Sequence, residues 1–229
     1  RAVIASDNSL YVLSTEASAP ATALARYRDG KWTSVPAPSI RSRYLADMAA
    51  GRNGAIFIAH MPGRKQNEMA KLTVERYDGT SWSTVGTPDF TANKAFNTVI
   101  DVDARNTPWV AYGDVTYGST NQRISVMYFD GKGWTYAGKQ GFTALKTTSR
   151  IEGFKIDNAG VPHVLFEAFG DVPGVFQVWA FEKDSWKKKV FVKDWSDYTW
   201  PSLNGKPSTL SPNSEYDMAF SRANQLFIS

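Results

Sequence analysis

The sequence has no cysteine and very little histidine. Its 229 residues contain no Cys and two His. Without thiols there can be no disulfide, no thiolate-bound metal and no cysteine nucleophile. No apolar run approaches the roughly 18 residues of a membrane-spanning helix, so no membrane span is predicted. Thiol chemistry is therefore excluded for this chain.

An excess of charge of one sign is also lacking. Lys and Arg number 26 against 22 Asp and Glu, which gives a net charge of +4. The basic residues are scattered, apart from the three lysines at 187–189, which we expect to face solvent on an outer strand. A nucleic-acid groove needs a wider basic stripe with interleaved aromatics. No nucleic-acid partner is therefore predicted.

Helical periodicity is lacking as well, since no segment shows a convincing helix of three turns.

Tryptophan, by contrast, recurs at a fixed interval. Four tryptophans close similar turn motifs and are spaced 50, 52 and 52 residues apart. The four motifs are Tyr27–Trp32, Tyr77–Trp82, Phe129–Trp134 and Phe181–Trp186. An Asp-Gly pair between alternating apolar runs predicts a β-hairpin. A period of this length indicates a repeat architecture.

A second set of markers supplies the other half of each repeat. Short apolar strands follow turns rich in Asn and Gly, and each turn is preceded by another short strand. In the third and fourth repeats these preceding strands are predicted at Val99–Val102 and Phe154–Ile156. The unit therefore reads as strand A, turn, strand B, variable loop, strand C, Asp-Gly turn and strand D. Four-stranded units of about 50 residues are typical of β-propeller blades. We predict an all-β propeller with four complete blades and the inner half of a fifth.

The predicted blades form a single domain over residues 1–229. They cover about 1–40, 41–92, 93–145 and 146–196, with the half-blade at 213–229. Four and a half blades do not close in an ordinary way, because an open blade leaves edge strands and uncovered sheet faces. We therefore expect the chain to be part of a larger ring, with the remaining blades supplied by missing sequence or by another chain.

The turn motif resembles a known family of repeats. Asp78-Gly79-x-x-Trp82 and Asp130-Gly131-x-x-Trp134 are similar to the sialidase-type (BNR, Asp-box-like) repeats of bacterial surface and secreted β-propellers. The usual box is Ser-x-Asp-x-Gly-x-x-Trp, whereas here Asp and Gly are adjacent and the leading Ser is missing. The resemblance covers essentially the whole chain. It implies a structural turn remote from any substrate, six or seven blades as common ring sizes, and an extracellular, cell-surface or periplasmic location.

The aromatic and histidine positions each allow two interpretations. The repeated tryptophans, of which Trp82 and Trp134 are examples, could be sugar-stacking platforms, but their regular recurrence favours packing within the blade core. His163 falls in a column of strand-B aromatics, so we expect a packed ring with one hydrogen bond rather than a general base. His60 lies where strand B runs out into a loop. An exposed ring is the ordinary expectation there, and a functional ring is the alternative.

Ligand contacts are predicted in the variable loops, which escape the repeat and behave like sites grafted on a fixed scaffold. The loop after the fourth blade is the longest and carries non-repeat aromatics suited to sugar rings. The predicted ligand-binding residues are Trp195, Tyr198, Trp200, Arg41, Arg43 and Arg150. The alternative is that this loop caps the channel or docks a neighbouring blade.

These features favour a non-catalytic binding or scaffold propeller that recognises a glycan or a protein. The alternative is a carbohydrate-active enzyme, either a sialidase-like hydrolase or a polysaccharide lyase. Its candidate catalytic residues are His60, Arg150 and Glu152. No metal ligands and no cofactor are predicted, and a calcium ion on the axis is left open.

One internal match concerns carboxylates. The segment at 46–52 resembles the segment at 216–222, and both place an Asp at the start of the innermost strand, Asp47 and Asp217. These could be paired carboxylates that line a channel or hold a cation. The alternative is that each accepts backbone N–H bonds of the adjoining turn.

Overall fold

The computed structural model describes residues 1–15, 22–38, 46–61, 70–117, 122–143, 150–168, 175–192 and 218–228. These residues form β-strands joined by turns and a single 3₁₀ turn at Val115–Tyr117, with no α-helix in the described ranges. The strands are β1 Ala2–Ile4, β2 Leu10–Thr15, β3 Thr22–Arg28, β4 Lys31–Val35, β5 Asp47–Ala50, β6 Ile56–His60, β7 Thr73–Tyr77, β8 Trp82–Thr84, β9 Ala95–Val102, β10 Pro108–Asp114, β11 Arg123–Phe129, β12 Trp134–Tyr136, β13 Arg150–Ile156, β14 Pro162–Ala168, β15 Val175–Glu182, β16 Ser185–Val192, β17 Met218–Phe220 and β18 Leu226–Ile228.

The strands form antiparallel meanders in chain order. Four sheets have four strands each, β1 to β4, β5 to β8, β9 to β12 and β13 to β16, and β17 pairs with β18. We call the four sheets blades 1 to 4 and the last pair the half-blade. The predicted architecture of four complete blades and the inner half of a fifth is confirmed.

Successive blades pack face to face around their first strands. Strands β1 and β5, β5 and β9, β9 and β13, and β13 and β17 are neighbours. Each of the four interfaces buries an apolar cluster contributed by both sheets. Examples are Leu13 with Ile58, Phe57 with Ile100, Val126 with Phe154, and Val178 with Met218. Strand A of each blade therefore lies next to the strand A of the next blade, as in a propeller.

The Asp-Gly turns are held by their own carboxylates. Asp78 accepts hydrogen bonds from the backbone N–H of Thr80 and Ser81 at 2.8 and 2.9 Å. Asp130 accepts in the same way from the backbone N–H of Lys132 and Gly133. These hydrogen bonds hold the pKa of both carboxyls below the ordinary value. The following Gly79 has a φ of 104°, a left-handed conformation that glycine adopts at little cost. These aspartates have the structural role that the repeat motif implies.

Strand A is longer than predicted in blades 3 and 4. It begins at Ala95 and Arg150, where the sequence pattern suggested starts at Val99 and Phe154. The reason is a β-bulge in each strand. In blade 3 the pairing of β9 with β10 shifts register between Ala111 and Gly113 of β10, and in blade 4 the pairing of β13 with β14 shifts at Glu152 of β13. A bulge interrupts the alternation of side chains from which strands are predicted.

Candidate functional site

The two ends of the blades differ in the number of buried polar side chains. One end carries the A–B and C–D turns, and we call it the turn end. The other carries the B–C and D–A connections, and we call it the loop end. Among the described residues, the most deeply buried polar side chains, Ser9 excepted, belong to the loop-end halves of their blades. They are His60, Thr73, Thr91, Thr98, Asp114, Gln122, Ser125, Thr143, Glu167 and Gln177.

Asp114, at the end of β10, is the centre of a hydrogen-bonded network at the loop end. Its Oδ2 accepts from Ser125 Oγ and Gln140 Nε2, both at 2.8 Å. Its Oδ1 accepts from the backbone N–H of Thr116 at 2.9 Å. Thr116 Oγ1 in turn accepts from Asn93 Nδ2 at 3.0 Å, which links the network to blade 2. Because each oxygen has a partner, Asp114 acts as a fixed anchor for three connections.

A repeated Phe-Thr pair fixes the start of the D–A connection in blades 2 and 3. Thr91 Oγ1 accepts from Leu72 N at 3.2 Å, and Thr143 Oγ1 accepts from Ile124 N at 2.9 Å. In both blades the Phe before the Thr donates its own N–H to the carbonyl of the same strand-C residue at 3.0 Å. The motif Gly-x-x-x-Phe-Thr-Ala-x-Lys, at 86–94 and 138–146, was the available sequence signal, and sequence reasoning missed it.

His60 is buried, and the expectation of an exposed ring is wrong. It is the last residue of β6, all of whose residues are buried, and its side chain is only 4 % exposed. Within the described part of the chain, neither ring nitrogen of His60 has a hydrogen-bond partner. The same holds for Thr98 Oγ1 on β9, a strand in contact with β6. Burial lowers the pKa of His60 to about 4, so the ring is neutral at pH 7.

His163 has the predicted role. Its ring is half-buried at 4.7 Å from the ring of Phe220, and Nδ1 lies 2.9 Å from the carbonyl oxygen of Val161. A carbonyl only accepts, so this geometry assigns the proton to Nδ1. Burial lowers the pKa of His163 below its ordinary value.

The innermost carboxylates bridge neighbouring blades. Asp47 Oδ2 accepts from the backbone N–H of Ile100 in blade 3 at 3.0 Å, and Oδ1 lies 3.3 Å from Arg1 Nε. Asp101 Oδ2 accepts from Ile156 N in blade 4 at 2.8 Å. Burial raises the pKa of both carboxyls, and the nearby cations partly offset this rise. Asp47 therefore bonds to blade 3, and its charge also contributes to the raised pKa of Asp101. Asp217, the counterpart predicted from the internal match, lies outside the described residues, so that pairing stays a prediction.

Most predicted ligand contacts cannot be placed. Trp195, Tyr198, Trp200, Arg41 and Arg43 lie outside the described residues, and so does the side chain of Arg150. The backbone of Arg150 pairs in register with Glu167, and Glu152 lies at the bulge of the same strand, both at the loop end. The structure thus gathers Arg150, Glu152 and Glu167 at the end of blade 4 where the variable connections begin.

The repeated tryptophans join blades rather than filling a single blade core. The indole N–H of Trp82 donates to the carbonyl of Pro36, that of Trp134 to Val85 at 3.0 Å, and that of Trp186 to Ala137 at 2.8 Å. Each acceptor lies at the end of strand D in the preceding blade. The Trp134 and Trp186 rings also stack on the Phe of the Phe-Thr pair, with centroids 4.1 and 4.5 Å apart. These three tryptophans are structural.

Neither a metal-binding cluster nor a membrane-spanning helix occurs in the described ranges. Among those residues no group of three or more His, Asp or Glu is arranged to hold a metal ion. The axial calcium therefore stays an open prediction. No helix in the same part of the chain is long and apolar enough to cross a membrane.

The fold belongs to a class that also contains carbohydrate-active β-propeller enzymes. No family model matches the chain, and no curated protein is significantly similar to it in sequence. The resemblance to sialidase-type repeats therefore rests on the sequence motif alone.

Several solved structures share the fold. An ulvan lyase of polysaccharide lyase family PL25 aligns with a TM-score of 0.61 at 12 % identity, over 84 % of this chain. The α-L-arabinanase of Penicillium chrysogenum, in complex with arabinobiose, aligns with a TM-score of 0.57 at 12 % identity over 100 % of this chain and 73 % of its own. An endo-arabinase from Bacteroides thetaiotaomicron aligns with a TM-score of 0.56 at 8 % identity over 99 % and 86 %.

These similarities establish the fold and no more, because the identities are low. The chain spans 55 % of the length of the ulvan lyase. The fold prediction of an all-β propeller is confirmed by the four-stranded sheets and by these neighbours.

Proposed function

We propose that this propeller recognises a glycan at its loop end, at the cell surface or outside the cell, and that binding without catalysis is its primary activity. The observation that carries the proposal is the concentration of buried polar side chains at that end. Buried polar groups are costly unless hydrogen-bonded. In the Asp114 network such groups are hydrogen-bonded to one another and fix the connections of blades 2 and 3. A rigid frame around variable loops is what a specific binding face requires.

The structural neighbours support glycans as the ligand class. Two of the three named above are arabinan-acting enzymes and one is a lyase of a sulfated polysaccharide, and they align over most or all of this chain. In the proposed site the non-repeat aromatics Trp195, Tyr198 and Trp200 stack on sugar rings. The rim arginines Arg41, Arg43 and Arg150 contact hydroxyl or carboxylate groups.

Binding is best tested with arabinan and ulvan oligosaccharides on a glycan array, followed by calorimetry. We expect Trp195→Ala and Trp200→Ala each to weaken binding by roughly 1 to 3 kcal/mol, as desolvated aromatic contacts do. Trp82→Ala is the matched control, because its indole is committed to the blade junction. Equal loss of affinity in all three variants, with folding intact, would contradict the proposed site.

Catalysis is the second candidate, and the enzymatic activity of the named neighbours favours it. A lyase would release products that absorb near 235 nm, and a hydrolase would release reducing ends. The candidate residues are His60, Arg150 and Glu152. His60 is a buried ring with no hydrogen-bond partner among the described residues, so it can act only if substrate binding uncovers it. Turnover that disappears in Arg150→Ala and Glu152→Gln while binding persists would establish the enzyme and displace the first proposal.

A further inference from the structure

One face of blade 1 carries a row of apolar side chains, most of which are exposed. Ile4, Leu10, Tyr27 and Trp32 lie directly opposite one another across its four strands, and therefore on one face of the sheet. Ile4 is 70 % exposed and Trp32 is 56 % exposed. The Tyr27 and Trp32 rings are in contact, with centroids 5.1 Å apart. By itself such a pair looks like a platform for a sugar ring.

The equivalent row of blade 2 is covered. Ala50, Ile56, Tyr77 and Trp82 are linked by the same strand pairing and pack in the apolar cluster shared with blade 1. Ile56 is fully buried, and Tyr77 is 8 % exposed against 39 % for Tyr27. The row is therefore the surface by which a blade packs on the blade before it.

Two polar groups mark the same surface. In blades 2 to 4 the indole N–H donates to the preceding blade, but no carbonyl in the described chain accepts from Trp32. In the A–B turns, Asn106 Oδ1 accepts from Asn53 N of the preceding blade at 3.2 Å, and Asn224 Oδ1 accepts from Asn158 N at 2.9 Å. Asn8 occupies the same turn position, with a φ of 60° like that of Asn224, and its exposed amide has no described partner.

We propose that this face of blade 1 is the receiving half of a blade–blade junction, and that its occupant is a further blade of the same repeat, which none of the five described sheets supplies. The occupant is defined by its chemistry. At the end of its strand D, the further blade has a backbone carbonyl that is free to accept from the Trp32 N–H. The next residue is small and leaves room for the Tyr27–Trp32 pair. Its A–B turn offers a backbone N–H to Asn8.

A second copy of this chain does not fit that description. The strand-D ends of blades 1 to 3 already accept Trp82, Trp134 and Trp186. The half-blade covers part of the corresponding face of blade 4, through a cluster that contains Leu165, Val178 and Met218. A glycan fits poorly as well, since the row offers apolar neighbours and a single indole N–H where sugar hydroxyls need several polar partners.

The test adds a blade where the junction is open. A second copy of residues 95–149 is fused ahead of Arg1 of the full chain, and the tryptophans are labelled as 5-fluorotryptophan. The ¹⁹F resonance of Trp32 is assigned with Trp32→Phe. In the unfused chain we expect this resonance to shift between H₂O and D₂O, as an exposed indole does. In the fusion we expect the isotope shift to be lost and the melting temperature to rise.

A matched control blocks the junction without removing the blade. Gly138→Val in the added copy alone should leave Trp32 exposed, because a Cβ at Gly138 would lie 3.0 Å from the aromatic ring of the next blade. A fusion that carries residues 46–94 in place of 95–149 guards against an added blade that fails to fold. If Trp32 keeps its isotope shift in both fusions, the proposal is overturned. Protection of Trp32 in the unfused chain by arabinan or ulvan oligosaccharides, or by raising the protein concentration, would overturn it too.

Discussion

Trp186 and Trp32 occupy the same place in the repeat but in opposite surroundings. Trp186 is buried, stacks on Phe142 and donates its indole N–H to Ala137 of the preceding blade. Trp32 keeps its contact with the tyrosine five residues before it and makes neither of the other contacts with any described residue. In blades 2 to 4 the regular spacing of the repeat therefore encodes a junction between blades, whereas Trp32, which no described blade covers, is exposed.

The largest expected difference between the two regions comes from truncating the tryptophans. Trp186→Ala should lower the free energy of unfolding by about 3 to 5 kcal/mol, as removal of a large buried side chain does. Trp32→Ala should cost about 1 kcal/mol or less, the value of one exposed aromatic contact. Urea denaturation of both variants measures the difference. Similar losses at the two sites would mean that the junction contributes little.

The strand-B ends of blades 1 and 2 extend the comparison to pH. Ser14 is exposed in blade 1, whereas His60 at the matching position is buried with its pKa lowered to about 4. Between pH 6.5 and pH 4 the His60 ring becomes protonated in the unfolded chain but stays neutral in the folded chain. The stability present above pH 6.5 is therefore lost as the pH falls towards 4, by an amount on the order of 3 kcal/mol.

His60→Leu should remove that loss. Thermal unfolding measured between pH 7 and pH 4 should show a flatter profile for the variant than for the parent chain. His163→Leu, at the less buried ring, should flatten the profile by a smaller amount. An unchanged profile in His60→Leu would show that the ring acquires a partner in solution.

Two glycines isolate the steric part of the junction. Gly138 and Gly30 have nearly equal φ values, 75° and 77°, but only Gly138 has atoms of the next blade close to an added Cβ. Both alanine variants carry the strain of a left-handed residue, about 1 to 2 kcal/mol. Gly138→Ala should cost about 1 to 3 kcal/mol more, because the Phe181 ring, 3.0 Å from the added Cβ, has to move. Equal costs in chemical denaturation would mean that the ring adapts freely.

The smallest expected difference lies in the A–B turns. Asn224→Gly should lose about 1 kcal/mol, since it removes hydrogen bonds to Asn158 and Asp157 of blade 4 while glycine keeps the left-handed turn. Asn8→Gly should be close to neutral, as the matching bonds are not made. Melting temperatures of the pair provide the measurement. A clear loss at Asn8 would place a partner on blade 1 already.

The sequence predicts those parts of the fold that depend on near neighbours in the chain. The Asp78 and Asp130 turns are local, and their Asp-Gly pairs identify the C–D hairpins and hence the blades. The bulges of β9 and β13 depend on pairing with another strand, so alternation alone missed them. The junction role of Trp134 depends on Val85, 49 residues away. Nothing local distinguishes a tryptophan that fills its own blade from one that reaches the preceding blade.

The candidate site was less accessible to sequence reasoning. His60 looked like a loop histidine because its burial comes from packing between blades, which the single strand does not show. The Asp114 network was missed, since Asn93, Thr116 and Gln140 meet only after three connections fold together. The Gly-x-x-x-Phe-Thr repeat at 86–91 and 138–143 was visible in the sequence and would have located the start of the D–A connection.

The order of parts in each junction gives the chain a direction of assembly during synthesis. The carbonyl of Val85, the glycine after it and the ring of Phe90 all leave the ribosome before Trp134, which docks on them. At elongation rates of about 5 to 20 residues per second, a new blade of about 50 residues emerges every 3 to 10 seconds, ample time for a local meander to form. We expect each finished blade to provide the docking surface for the next. Nascent chains long enough for residue 149 to have left the ribosomal exit tunnel should therefore already protect Trp134 but not Trp32.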